Sequence, residues 1–147
     1  MNALQKAFDE LNNKNTNIEF TSKTEENGDL YYEYSHQTTP LVIRVYFDSD
    51  EITVCLGDYY HTHFENYIHD QLTHEKAASR AWDFMMGFIN GNYYVENRFQ
   101  NNKWIGSSLK YQDTVISKHI PAGVKKDNTE LMISIDKWES NSENITL

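Results

Sequence analysis

The chain has 147 residues, of which 39 % are hydrophobic, 24 % charged and 14 % aromatic. That composition supports one packed domain over residues 1–147 and excludes a wholly disordered chain. Thirteen Lys and Arg against 22 Asp and Glu leave a net charge of −9, which opposes the phosphate attraction behind most nucleic-acid binding and favours a basic partner. Apolar stretches such as residues 84–89 fall far short of the roughly 20 residues of a membrane helix, and the polar N-terminus has no signal-peptide core, so a cytoplasmic protein is expected.

Ala3, Leu4, Ala7, Phe8 and Leu11 recur at the three-and-four spacing of one helical face, with Gln5, Lys6, Asp9 and Glu10 on the other, which predicts a short helix over residues 2–13. A strand over 18–22 follows, and Asn27-Gly28 marks a hairpin turn because both residues tolerate positive φ. Residues 30–35 alternate aromatic and polar side chains, and residues 41–47 are β-branched and aromatic enough for a central strand with Leu41, Ile43, Val45 and Phe47 on one face. Residues 52–56 return with Ile52, Val54 and Leu56 aligned, which completes a four-strand meander. The lone cysteine, Cys55, excludes an internal disulfide, and its place in this alternating run predicts a buried, inert thiol.

A second, longer helix is expected after residues 66–72, with Thr73 as N-cap, a buried stripe of Ala78, Ala81, Trp82, Met85, Phe88 and Ile89, and a stop at Asn90-Gly91. Residues 93–99, 104–111 and 131–135 read as further strands. The connection over 113–128 is long enough to be either a functional loop or partly ordered, and residues 139–147 read as a flexible tail. The expected fold class is α+β: a mainly antiparallel sheet of six to seven strands, the long helix packed on one face and the short N-terminal helix covering an edge or end.

Between the meander and the second helix lies Asp58-Tyr59-Tyr60-His61-Thr62-His63-Phe64-Glu65. In an extended strand His61, His63 and Glu65 project to one side, a pattern that suits a divalent metal; the alternative is a pair of histidines that ends the sheet and bonds to its backbone. No Gly-x-Ser-x-Gly, dinucleotide fingerprint or phosphate-cradling glycine loop occurs, and the acidic pairs fall at turns where carboxylates are ordinarily solvated. No catalytic residues and no cofactor are therefore assigned. Ten Tyr include the doublets Tyr31-Tyr32, Tyr59-Tyr60 and Tyr93-Tyr94. A doublet in a strand puts one ring on each face, which yields either an exposed interface or an aromatic-rich core.

Over residues 58–106 the order His61-Thr62-His63-Phe64-Glu65, an Ala-rich helix from Ala77, Asn90-Gly91-Asn92-Tyr93 and Trp104-Ile105-Gly106 resembles small bacterial immunity proteins of the polymorphic-toxin or contact-dependent-inhibition type. The resemblance implies a non-enzymatic inhibitor that binds a cognate toxin, such as a nuclease, and carries no catalytic residue with it. The acidic charge and the tyrosines point to a partner-binding surface of Asp58, Tyr59, Tyr60 and Glu65, extended by Tyr94 and Glu96. Two other readings stay open: a metal-binding protein or metal-dependent enzyme using His61, His63 and Glu65, and an acidic phage anti-defence protein.

Overall fold

The computed structural model describes residues 2–15, 18–48, 50–65, 73–111, 125–128 and 131–138. The connection 66–72, most of the segment 113–128 and the tail 139–147 lie outside the described residues. The fold is α+β as expected, with two helices and antiparallel sheets among the described residues. Its strands divide between a sheet of five and a sheet of four, where the sequence pattern implies one sheet. The strands beyond the expected seven are Tyr60–Glu65 and Lys125–Asn128. Neither carries the alternating aliphatic pattern that marks a strand, and the second is fixed by antiparallel pairing of Lys125 to Ser134 and Asn128 to Leu131. By contact density the chain forms two units, Met1–Cys55 with His61–Met85, and Leu56–Tyr60 with Met86–Leu147.

In the first unit, helix α1 (Ala3–Lys14) starts where the Asn2 side chain accepts the Gln5 N–H at 2.8 Å. Strands β1 (Thr21–Thr24), β2 (Leu30–Ser35), β3 (Val42–Phe47), β4 (Glu51–Leu56) and β5 (Tyr60–Glu65) lie side by side in chain order. The β1–β2 hairpin closes over Asn27-Gly28, with Gly28 at φ +94 and its N–H on the Glu25 carbonyl at 2.9 Å. Tyr32 pairs with Val45 and Tyr34 with Ile43 across β2 and β3. These four, together with Ile52 and Val54, are buried, so the period of two sorts one apolar face from one wet face. On the wet face Tyr31 stacks on Tyr46 at 4.9 Å, and Glu33 holds Lys23 at 2.8 Å and Arg44 at 3.1 Å.

Helix α1 lies on the buried face rather than at an edge. Phe8, fully buried, meets Phe47 at 5.4 Å and Trp82 of helix α2 (His74–Ile89) at 5.5 Å, both edge to face. The buried stripe of α1 is rotated from the expected one: Leu4, Gln5, Ala7, Phe8 and Asn12 are buried, and Ala3 is exposed. Hydrogen bonding accounts for the rotation. Gln5 Nε2 donates to the Tyr32 hydroxyl at 3.1 Å, that hydroxyl donates to Asp9 Oδ1, and the Tyr34 hydroxyl donates to Asn12 Oδ1 at 3.2 Å. Two tyrosines whose rings belong in the core still need partners for their hydroxyls, and a stripe of Gln5, Asp9 and Asn12 supplies them. Burial first, and the bond to Asp9 second, push the Tyr32 hydroxyl up to about 12.

Thr73 caps α2, its hydroxyl accepting the Lys76 N–H at 3.2 Å. Ala77, Ala78, Ala81, Trp82, Met85 and Phe88 are buried along α2, close to the expected stripe. The helix ends within the second unit: Gly91 at φ +80 bonds the Phe88 carbonyl at 3.1 Å, and the Asn92 N–H bonds the Gly87 carbonyl at 2.9 Å. Strands β6 (Tyr93–Gln100), β7 (Lys103–Tyr111), β8 (Lys125–Asn128) and β9 (Leu131–Asp136) follow in the spatial order β7-β6-β9-β8. Asn101 and Asn102, at φ 50 and 65, form the two-residue turn between β6 and β7. Among the described residues no helix is long and apolar enough to cross a membrane.

Three substitutions test this packing by urea denaturation. Trp82→Ala is expected to cost about 3 to 5 kcal/mol, and Tyr32→Phe about 1 to 3 kcal/mol through the partners it strands. A Cβ at Gly87 comes within 2.5 Å of the Tyr93 hydroxyl oxygen. Gly87→Ala is therefore expected to destabilise, because overpacking of about 1 to 3 kcal/mol outweighs a helix-propensity gain of about 1 kcal/mol. A stabilised Gly87→Ala protein would contradict that contact.

Candidate functional site

Within the second unit the register fixes which side chains share a face of the sheet. Asn97 lies opposite Ser107 on β7 and Ser134 on β9, and Val95 lies opposite Asp136. Past Arg98, which pairs with Gly106, the register shifts so that Phe99 pairs with Trp104. Ile105 is thus an extra residue in β7, a bulge. Without it Ile105 would stand opposite Phe99, and Trp104 would point to the other face. With it, Trp104 joins the face of Asn97, Phe99 and Ser107.

A polar chain runs inward from the indole. Trp104 Nε1–H donates to Ser107 Oγ at 2.9 Å, the Ser107 hydroxyl donates to Asn97 Oδ1, and Asn97 Nδ2 donates to Asp136 Oδ2 at 2.7 Å. Asn97 is fully buried, and its amide is used at both ends. Burial raises the Asp136 carboxyl above its ordinary range, the Asn97 bond opposes that, and the nearby Asp58 charge adds to it. On the solvent side Tyr59 stacks on Trp104 at 5.8 Å and stands edge to face on Phe99 at 5.1 Å. The large hydrophobic residues most exposed in the second unit, among those described, are Tyr59 at 39 %, Trp104 at 48 %, Ile105 at 54 % and Tyr111 at 66 %. Three of these lie on β7, at the end of its sheet, and the fourth rests on one of them. Ser107 Oγ contacts an indole N–H and an amide oxygen, an arrangement that orients a ring rather than activates a nucleophile.

The residues expected to bind a partner separate. Tyr59 is exposed and stacks on Trp104, Asp58 is exposed next to it in sequence, and Tyr60 is half-buried, its hydroxyl pushed up chiefly by burial. Tyr94 needs correction: it is 7 % exposed and offers almost no surface. Glu96 is part-exposed and lies on the face opposite Asn97, where it meets Arg98 at 3.4 Å, because neighbouring strand residues point to opposite sides. Glu65 belongs to the first unit and is exposed on β5 with His61 and His63, as alternation implies.

The two histidine rings are 5.1 Å apart, and His63 Nδ1 lies 2.9 Å from Thr53 Oγ1 and 3.4 Å from Glu51 Oε1. Side-chain partners thus hold His63, where backbone bonds were the expected alternative. Among the described residues no three His, Cys, Asp or Glu side chains form a group able to hold a metal ion, His61, His63 and Glu65 included. Cys55 is half-buried, and burial raises its thiol, in keeping with an inert side chain.

Sequence reasoning missed Trp104, Ser107, Asn97 and Asp136. The available signal was Asn97 itself, a polar residue between Val95 and Phe99 on the inward side of a strand, where a partner is obligatory. No protein-family model matches the chain, and neither the curated proteins nor the solved structures provide a match.

The raised Asp136 carboxyl sets a sign for the pH dependence. The folded state holds this proton more tightly than the unfolded one, so this carboxyl's contribution to stability is fully present at low pH and is lost as pH rises from the ordinary value of 3.8 through the folded value. Asp136→Asn keeps an acceptor for Asn97 and removes the charge. Its difference in stability from wild type is expected to grow in its favour over that window, read by denaturation at several pH values. A constant difference would contradict the burial of this carboxylate.

Proposed function

We propose that the chain is a non-enzymatic inhibitor of the immunity type, which binds a basic protein effector such as a nuclease toxin in the cytoplasm and covers its working surface. The observation that supports this best is the exposed Tyr59–Trp104 stack, with Ile105 and Tyr111 also exposed on β7, on a chain of net charge −9. Exposed Trp and Tyr are the residues most enriched among binding hot spots, because a rigid ring loses little entropy on contact. The acidic excess adds long-range attraction to a basic protein and speeds encounter at low salt. The sequence resemblance to immunity proteins points the same way.

The test is affinity capture from the cells that make the chain, with low-salt and high-salt washes, followed by an assay of the captured protein's own activity. The expected result is one stoichiometric basic partner whose activity is lost at equimolar inhibitor. Tyr59→Ala and Trp104→Ala should each weaken the complex by about 30-fold or more, the size of a hot-spot contact. A partner that keeps full activity in excess inhibitor would contradict inhibition, and one that binds both variants like wild type would contradict this surface.

A further inference from the structure

His61 and His63 are two apart on β5, so both project to one side of the first unit's sheet, and both are exposed. Their rings lie 5.1 Å apart at 78° between planes. An ion held at about 2.0 to 2.1 Å by one nitrogen of each ring allows ring centres up to roughly 6.4 Å apart, so this spacing admits a shared ion. The His63 Nδ1 is already engaged, 2.9 Å from Thr53 Oγ1 and 3.4 Å from Glu51 Oε1 on the neighbouring strand β4. A carboxylate only accepts, so Glu51 favours the ring proton on Nδ1 and leaves the lone pair on Nε2. A carboxylate on the far nitrogen is the outer-shell arrangement that fixes the tautomer of a metal-binding imidazole and raises its basicity. All four residues belong to the first unit.

We infer that His61 and His63 bind one divalent ion of the nickel, copper and zinc group through one nitrogen each, with Glu51 as the positioning residue behind His63. Imidazole nitrogens suit these ions, whereas Ca²⁺ and Mg²⁺ take oxygen ligands. Among the described residues no third His, Cys, Asp or Glu completes a ligand set with the pair, so water fills the remaining positions and the site stays open. Glu65, the carboxylate that the strand pattern suggests, is not a ligand; Glu51 supplies the carboxylate from the outer shell. The site owes nothing to toxin binding and is testable without a partner.

The probe is Zn²⁺, titrated into the full chain after it has been stripped with EDTA, in a non-chelating buffer at about pH 7.5, where imidazoles are free to bind metal. The readouts are calorimetry and the ring resonances of His61 and His63 in long-range nitrogen–proton correlation spectra. Two ligands supply about half the binding free energy of a four-ligand zinc site, which sets the expected Kd at about 1 to 100 μM. Both rings should shift together and saturate, and Cu²⁺ should bind more tightly than Zn²⁺ or Ni²⁺. His61→Gln and His63→Gln change exposed side chains, and each is expected to weaken binding by about 10-fold or more. No saturable shift up to about 1 mM Zn²⁺, a shift of one ring alone, or an unchanged affinity in either variant overturns the site. Zn²⁺ held by carboxylates elsewhere leaves both rings unshifted and overturns it too. Glu51→Gln is expected to weaken binding by about 10-fold and to lower the share of the Nδ1–H form in metal-free His63, read from its ring nitrogen shifts. An unchanged affinity in that variant overturns the role given to Glu51.

Discussion

Strand alternation is the constraint on which both sheets depend: each side chain must take one of two faces, and the register decides which. Across β1, β2 and β3 of the five-stranded sheet the rule holds without interruption, so Tyr32, Tyr34, Ile43 and Val45 go inward while Tyr31, Glu33, Arg44 and Tyr46 stay at the surface in stacked and charged pairs. In the four-stranded sheet one extra residue, Ile105, breaks the rule once. That break brings Trp104 to the face where Ser107 and Asn97 can bond it, and gives the second unit a fixed aromatic surface.

The same rule explains why some of the fold was legible in the sequence. Strands over 30–35 and 52–56 have clean alternation, and Thr73 and Gly91 bound the second helix by cap chemistry that depends on few residues. The first helix was legible as a helix with Leu4, Ala7 and Phe8 buried as expected, but its buried stripe is rotated to include Gln5 and Asn12. Gln5 and Asn12 are polar by type and buried in fact, because the hydroxyls of Tyr32 and Tyr34 need hydrogen-bond partners that come from a distant segment. Hydrophobic periodicity records no such demand. Likewise nothing local in Lys125–Asn128 announces a strand; its pairing with Leu131–Asp136 is what makes it one.

The candidate site was half legible. Asp58 and Tyr59 stand out because aromatic and acidic residues crowd one turn, both are exposed, and Tyr59 stacks on Trp104. Tyr94 was drawn in by the same composition argument and is buried, and Glu96 lies part-exposed on the opposite face of its sheet from Asn97. Trp104 could not be placed from sequence because its direction depends on a register shift between two strands. Asp136 lies 39 residues from the Asn97 that it accepts from.

Trp104 is an exposed ring tethered by hydrogen bonds in one orientation, so the binding proposed for it carries little ordering cost. Heteronuclear relaxation of its indole Nε1–H tests that directly in the protein alone. The expected result is an order parameter near that of rigid backbone, about 0.85; a value below about 0.6, typical of a flexible group, would contradict it.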